Sequence, residues 1–410
     1  MELLVALALA TTTIAVPERA NANVSIAADN AFVAIAWSAS TPAGPTDIFA
    51  AVSTDGGRTF GAPVRVNDAV GDARANGEQP PRLALTRGAG HAPHITVVWT
   101  AKGAAGTKLL QARSEDGGRS FAKAITVPDT DAPGSRGWQA AASNPTGGVD
   151  VVWLDHRELV PGEAQMSHIH HQPSAEKPDG VAMAQKSKLY FAALDGSVPP
   201  HALTGGVCYC CKTALASGAN GARYIAWRHV YPGNIRDIAF VMSHDGGRTF
   251  APPVRISEDK WVLEGCPDDG PAMVVDRQNR IHVVWPTLVQ DGPDGEPNLA
   301  LFYAMSLDGR TFTPRERIPT QGTPHHLQLA LDGAGRLIVT WDELESGKRR
   351  VAFARARSAE GRGTQFTREI ISGSGPAIYL MAAATAGDEA VVAWTSGGPI
   401  DSVIRVARVP

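Results

Sequence analysis

The chain has 410 residues, 43% hydrophobic and 19% charged, with 42 Gly, 29 Pro and a net charge of −3. Such a profile suits a globular, turn-rich protein and excludes a disordered or long-helical one. No run of Lys or Arg stands out, so no nucleic-acid partner is expected, and no apolar stretch approaches the roughly 18 residues of a membrane-crossing helix.

At the N-terminus, Leu3 to Ala10 reads like the apolar core of a truncated signal peptide, with Ala20-Asn21-Ala22 as a small-x-small cleavage site, although no Lys or Arg precedes it. Export to a periplasmic or extracellular space is therefore expected. Thr11 to Val16 fits equally well as a β-strand of the fold.

From there the chain is governed by two interleaved repeats. Ser53-Thr-Asp-Gly-Gly-Arg-Thr-Phe60, Ser114-Glu-Asp-Gly-Gly-Arg-Ser-Phe121, Ser243-His-Asp-Gly-Gly-Arg-Thr-Phe250 and Ser306-Leu-Asp-Gly-Arg-Thr-Phe312 are versions of one turn. The carboxylates of Asp55, Asp116, Asp245 and Asp308 accept bonds from backbone N–H groups ahead of them, Gly supplies positive φ, and the final Phe pins the turn to the sheet. Apolar runs ending in Trp recur at Trp37, Trp99, Trp153, Trp227, Trp285, Trp341 and Trp394, with separations by subtraction of 62, 54, 74, 58, 56 and 53 residues. A unit of that length holds four short strands, which is one propeller blade.

Strand order within a unit follows. Pro81 to Leu85 forms an inner strand, the Trp strand comes next, Lys108 to Arg113 leads into the repeated turn, and Ala124 to Val127 is an outer strand. The expected fold is an all-β propeller of four-stranded blades, with seven blades rather than six plus a hairpin. Val403 to Val409 ends the last unit without an outer strand, and Thr11 to Val16 is expected to supply it, closing the ring so that no edge stays open. One domain over 11–410 is expected, as a monomer, with a His/Met-containing insertion at about 158–187.

These repeats resemble the Asp-box (BNR-repeat) proteins of the sialidase superfamily over nearly the whole chain. The resemblance implies the propeller; for activity it is weak, because such turns lie away from the usual active-site face. A sialidase-like site would need an arginine cluster clamping a carboxylate, a Tyr nucleophile assisted by a Glu, and an Asp acid. The family's early Phe/Tyr-Arg-Ile-Pro segment is missing, and Arg317-Ile-Pro319 lies late, on an outer strand. Arg82, Arg136, Arg157 and Arg228 are arginines on the right face, with Asp155 and Glu158 as carboxylates and Tyr209 and Tyr379 as tyrosines. Structural ion pairing is the expected role of Asp155 and Arg157.

The entrances to the inner strands carry the unusual chemistry. Aligned on a shared Gly, Gly206-Val-Cys-Tyr-Cys-Cys-Lys212, Gly265-Cys-Pro-Asp-Asp-Gly270 and Gly322-Thr-Pro-His-His-Leu327 put Cys210, Asp269 and His326 in one column and Tyr209, Asp268 and His325 in the next. All four cysteines, Cys208, Cys210, Cys211 and Cys266, then lie on two adjacent blades at the channel mouth.

Three chemistries remain open for them. Disulfides suit an exported protein, one ordinary bridge plus two thiols being easier than two bridges. Cys208, Cys210, Cys211 and Cys266 with His325 and His326 suit a soft metal, copper ahead of zinc, with Cys208 and Cys210 on one side of a strand. Met166, His168, His170 and His171 form a weaker second ligand arm. Thiol–disulfide exchange is the third. No nucleotide cofactor is expected. The leading function is an exported metal-binding propeller; the alternatives are a glycoside hydrolase acting on a glycan, with structural cysteines, and a protein- or glycan-binding scaffold.

Overall fold

The computed structural model describes residues 11–75, 77–88, 92–159, 180–263, 267–290, 295–358, 364–371, 377–384 and 389–409. Their strands form seven antiparallel sheets of four, one sheet per blade. The inner strands are Ala20–Asp29, Arg82–Thr86, Arg136–Ser143, Ala214–Ser217, Ala272–Val275, Thr323–Leu331 and Ala377–Ala384. In blade 7 the outer place is filled by Thr11–Ile14, paired antiparallel with Val403–Val409 from Thr11↔Ala407 to Ile14↔Ile404. The two ends of the chain thus share one sheet, and the ring needs no further edge protection.

Residues 1–10 lie outside the description, but the expected cleavage site does not. Ala20–Ala22 begins the first inner strand, and buried Asn21 accepts the Trp37 indole N–H at 2.9 Å. A cut there would remove the strand that closes the ring.

The core is divided among the blade interfaces. Seven hydrophobic clusters each join one blade to its neighbour. Every repeated Trp sits in the cluster shared with the preceding blade; Trp153 of blade 3, for instance, packs with Val98 and Leu109 of blade 2. These indoles are wedges between blades, and burying seven such surfaces is the main apolar contribution to closure.

The four repeated turns do the same from the rim. In each, the Asp Oδ1 accepts the N–H of the Thr or Ser four (in the shortened copy three) residues on, at 2.9–3.0 Å. The leading Ser Oγ accepts a Gly N–H at 2.8–2.9 Å. The Phe pins the turn to the neighbouring blade as well as its own: Phe250 packs on Phe191 of blade 3 at 5.2 Å and Phe312 on Phe240 of blade 4 at 5.3 Å. Among the described residues no helix is long and apolar enough to cross a membrane.

Candidate functional site at the channel mouth

A cavity lies among the inner strands of blades 1 to 4. Its volume is about 450 Å³, and its lining includes Ala27, Asp29, Leu83, Arg87, Ala141 and Ser217. The end of the channel where the chain enters the inner strands is closed by polar side chains. Glu78, just before the inner strand of blade 2, pairs with Lys212 of blade 4 at 2.8 Å. The same carboxylate accepts the N–H groups of Lys212 at 3.0 Å and of Gly270 in blade 5 at 2.9 Å. Lys212 Nζ continues to the Leu327 carbonyl of blade 6 at 2.6 Å. Blades 2, 4 and 6 are not neighbours, so these bonds cross the axis.

Backbone geometry prepares these entrances. In blades 1, 3 and 6 a β-bulge sets two residues opposite the Trp, and the first of each pair, Asn23, Trp138 and His326, has φ of 51–55°. Asp268 in blade 5 also lies in the left-handed region, at 48°. Such bulges re-aim side chains at the rims of sheets, and a non-glycine residue holds positive φ only when its surroundings enforce it.

Blades 5 and 6 touch at these entrances, with side-chain pairing that runs across the aligned columns rather than along them. Asp269 accepts the His325 Nδ1 proton at 2.7 Å and the His326 backbone N–H at 2.7 Å. His326 Nδ1 bonds Asp342 at 2.6 Å. Burial pulls the His326 pKa down, but the Asp342 carboxylate outweighs it and lifts the imidazole to about 8. Asp268 is pushed up to about 7, first by burial and then by the charge of Glu78.

The cysteine segment departs from the expected strand. Tyr209 to Cys211 is a turn, so sulfur positions do not follow alternation along a strand. Cys211 comes as close to Cys208 as Cys210 does, at 3.5 and 3.7 Å, and all three Sγ atoms lie within 4.8 Å of one another. Cys210 is disulfide-bonded, whereas Cys208 and Cys211 are free thiols, all three buried. Cys266 lies outside the described residues.

Arg236 Nη1 donates to Cys208 Sγ at 3.0 Å. The hydrogen bond from Cys211, then Arg236 and Arg228 against the push of burial, lower the Cys208 thiol to about 6. Burial and the charge on Cys208 raise Cys211 well above the ordinary thiol range. Within the pair Cys211 donates to Cys208, and the two shifts run in opposite directions.

The residues considered for a hydrolase occupy another setting. Asp155 is buried, accepts Arg136 Nε at 3.2 Å, and is held on both oxygens by Arg157 at 2.9 and 2.7 Å. Arg228 gives four bonds to the carbonyls of Asp269, Arg236 and Pro286, at 2.7–3.1 Å. Arg82 donates to the Gln139 carbonyl at 2.9 Å, and Arg136 to the carbonyls of Pro133 and Gly134. Glu158 pairs with Lys188. Tyr209 is buried, with Arg236 over its ring at 5.9 Å. The side chain of Tyr379 lies outside the description, as do Met166, His168, His170 and His171 with 160–179 of the insertion; its described end is a short helix, Gly180–Lys186.

After the repeated Trp, the second residue has a shared structural task. Asp155, His229 and Glu343 each accept the indole N–H of their own blade, at 3.2, 3.4 and 3.0 Å. Glu78, Lys212 and Arg236 are the site residues that the sequence did not single out. Aligning Gly77-Glu-Gln-Pro-Pro81 with the other entrances would have put Glu78 on this face; Arg236 carries no comparable local signal.

No protein-family model matches the chain, and no curated protein does. Solved structures do. A protein of unknown function from Dyadobacter fermentans DSM 18053 is 14% identical, with a TM-score of 0.52 over 98% of each chain. A PL25 ulvan lyase is 9% identical, with a TM-score of 0.56 over 95% of this chain and 93% of its own. A variant of NanB sialidase from Streptococcus pneumoniae is 8% identical, with a TM-score of 0.52 over 97% and 94%. At these identities the likeness is one of fold: a propeller shared with a sialidase and a polysaccharide lyase.

Proposed function

We propose that this protein is an exported Asp-box propeller that binds a soft transition-metal ion, copper(I) ahead of zinc, through Cys208 and Cys211 at the channel mouth. The observation that carries this reading is the pair of free, buried thiols 3.5 Å apart, one of them against a guanidinium. Buried thiols in van der Waals contact are preorganised for one ion, and thiolates select soft ions. Two thiolates on copper(I) leave a net charge of −1, which Arg236 at 3.0 Å offsets. Zinc with the same two thiolates is neutral and needs two further ligands to complete a tetrahedron.

Among the described residues only the three sulfurs form a close group of ligand atoms, and His325 lies outside it. Its Nδ1 is engaged by Asp269 at 2.7 Å, the carboxylate–imidazole arrangement that orients Nε2 in metal sites. His326 and Asp342 repeat it one residue on. Cys210 contributes a third sulfur only when its disulfide is open.

A glycan-directed activity is the second reading, supported by the fold shared with a sialidase and a polysaccharide lyase. The engagement of Arg82, Arg136, Arg157 and Arg228 with carbonyls and Asp155 speaks against a carboxylate clamp built from them.

Copper(I) titration against a chromophoric competing chelator tests the metal reading. One equivalent is expected to bind tightly to wild-type protein, and Cys208→Ser and Cys211→Ser each remove that tight phase. Wild-type protein that leaves all the copper on the competitor would overturn it.

A further inference from the structure

The thiol pair at the mouth is sealed. Cys208 and Cys211 are at most 2% exposed, so neither an ion nor a small electrophile touches their sulfur atoms while the surrounding elements stay packed. Hydrogen bonds tie the turn to the propeller on three sides. Cys208 N donates to Arg228 O at 2.8 Å, Lys212 N to Glu78 at 3.0 Å, and Thr213 Oγ1 to Trp138 O at 2.8 Å. Those partners belong to blades 4, 2 and 3, which the closed ring holds in place.

One covering element is different in kind. The helix Gly180–Lys186 has only seven residues, and a helix that short is not stable without the packing of its neighbours. Its Met183 and Ala184 are buried in the same hydrophobic cluster as Val207, Cys208, Cys210 and Cys211. Gln185 presses on the two glycines that lead into the turn. A Cβ at Gly205 would stand 3.3 Å from the Gln185 carbonyl oxygen, and one at Gly206 would stand 3.5 Å from Gln185 Nε2. A short element docked in this way opens locally at less cost than a blade interface.

We propose that the helix Gly180–Lys186 is the gate of the thiol pair: when it lifts from Gly205 and Gly206, Cys208 and Cys211 become reachable while the seven blades stay closed. The packing stands without any metal; as the route of ion uptake, the gate rests on the metal reading above.

The test is native-state labelling of metal-free protein with N-ethylmaleimide, read at Cys208 and Cys211 by mass spectrometry, in urea concentrations below the unfolding transition. Lifting the helix alone exposes little surface, so the labelling rates are expected to vary with urea far less than global unfolding does. The backbone at Gly205 is not left-handed, so Gly205→Ala adds only the contact with Gln185 and should raise both rates about tenfold. Met183→Ala, which removes packing instead of adding a clash, should act in the same direction. Gly246→Ala, on the rim of blade 4, lowers global stability and should leave both rates unchanged in the absence of urea. Labelling that rises with urea as steeply as global unfolding, or that neither helix-directed variant speeds, would overturn the gate. Silver(I) uptake by the same proteins separates the two readings. Uptake speeded by the same factor supports the gate as the ion's route, and uptake at an unchanged rate overturns that route. Protein that binds no silver(I) sinks the metal reading while the gate over the thiols stands.

Discussion

Glu78 and Lys212, 134 residues apart, meet across the channel axis at 2.8 Å, both almost fully buried. The pair ties blade 2 to blade 4, and its further bonds to Gly270 N and Leu327 O bring in blades 5 and 6. It forms the floor on which the cysteine turn and the Asp–His pairs are set.

Breaking this pair should be costly. Glu78→Gln leaves the Lys212 ammonium buried without its counter-charge, and a loss of about 3–5 kcal/mol is expected. Replacing both partners by Met should recover most of it, since the charge left behind is what costs. Urea unfolding midpoints of the single and double variants check this, and a double variant no more stable than Glu78→Gln would contradict it.

The two glycines of a repeated turn should differ. Gly246 has φ of 77° with nothing nearer to an added Cβ than Arg248 Nη1 at 3.9 Å, so Gly246→Ala carries the left-handed penalty alone, about 1–2 kcal/mol. Gly247 has φ of 94°, and its Cβ would meet Phe191 Cε1 of the preceding blade at 2.3 Å. Overpacking adds about 1–3 kcal/mol there. Thermal midpoints should therefore fall further for Gly247→Ala, and equal shifts would refute the docking of turn on neighbouring blade.

Asp268 and His326 should each contribute a loss of stability as pH rises. Asp268, with its pKa lifted to about 7, keeps its proton in the folded state over a range where the unfolded chain has already lost it. Unfolding is thereby favoured progressively between pH 4 and 7. His326, raised to about 8, stabilises the fold fully below about pH 6.5, and that contribution is lost as pH rises through 8. Asp268→Asn should flatten the lower part of the curve and leave the upper part, as read from urea midpoints across pH.

Much of the fold was legible because its signals are local. The Ser-x-Asp-Gly turn makes its own hydrogen bonds within a few residues, and the Trp period marks each second strand. Even Thr11–Ile14 was readable, because the last unit lacked an outer strand. The site was legible only in part. The alignment put Asp269 beside His326 and Asp268 beside His325, whereas the side chain of Asp269 pairs with His325, one column over. The Glu78–Lys212 pair has no local trace, since neither residue's neighbours show that a partner waits across the channel. The cysteine turn defeated strand alternation because Tyr209 to Cys211 leaves the extended conformation before the inner strand begins. The structural role weighed for the arginines was legible only in kind: Arg228 donates to three backbone carbonyls, and none of those partners is marked in the sequence.

Elemental analysis of protein purified from its native compartment, with thiols counted on the same sample under denaturing conditions, tests the central claim most directly. Close to one copper per chain, with two thiols protected until the metal is chelated away, is the result this account predicts. Metal-free protein whose Cys208 and Cys211 react as soon as it unfolds would contradict it.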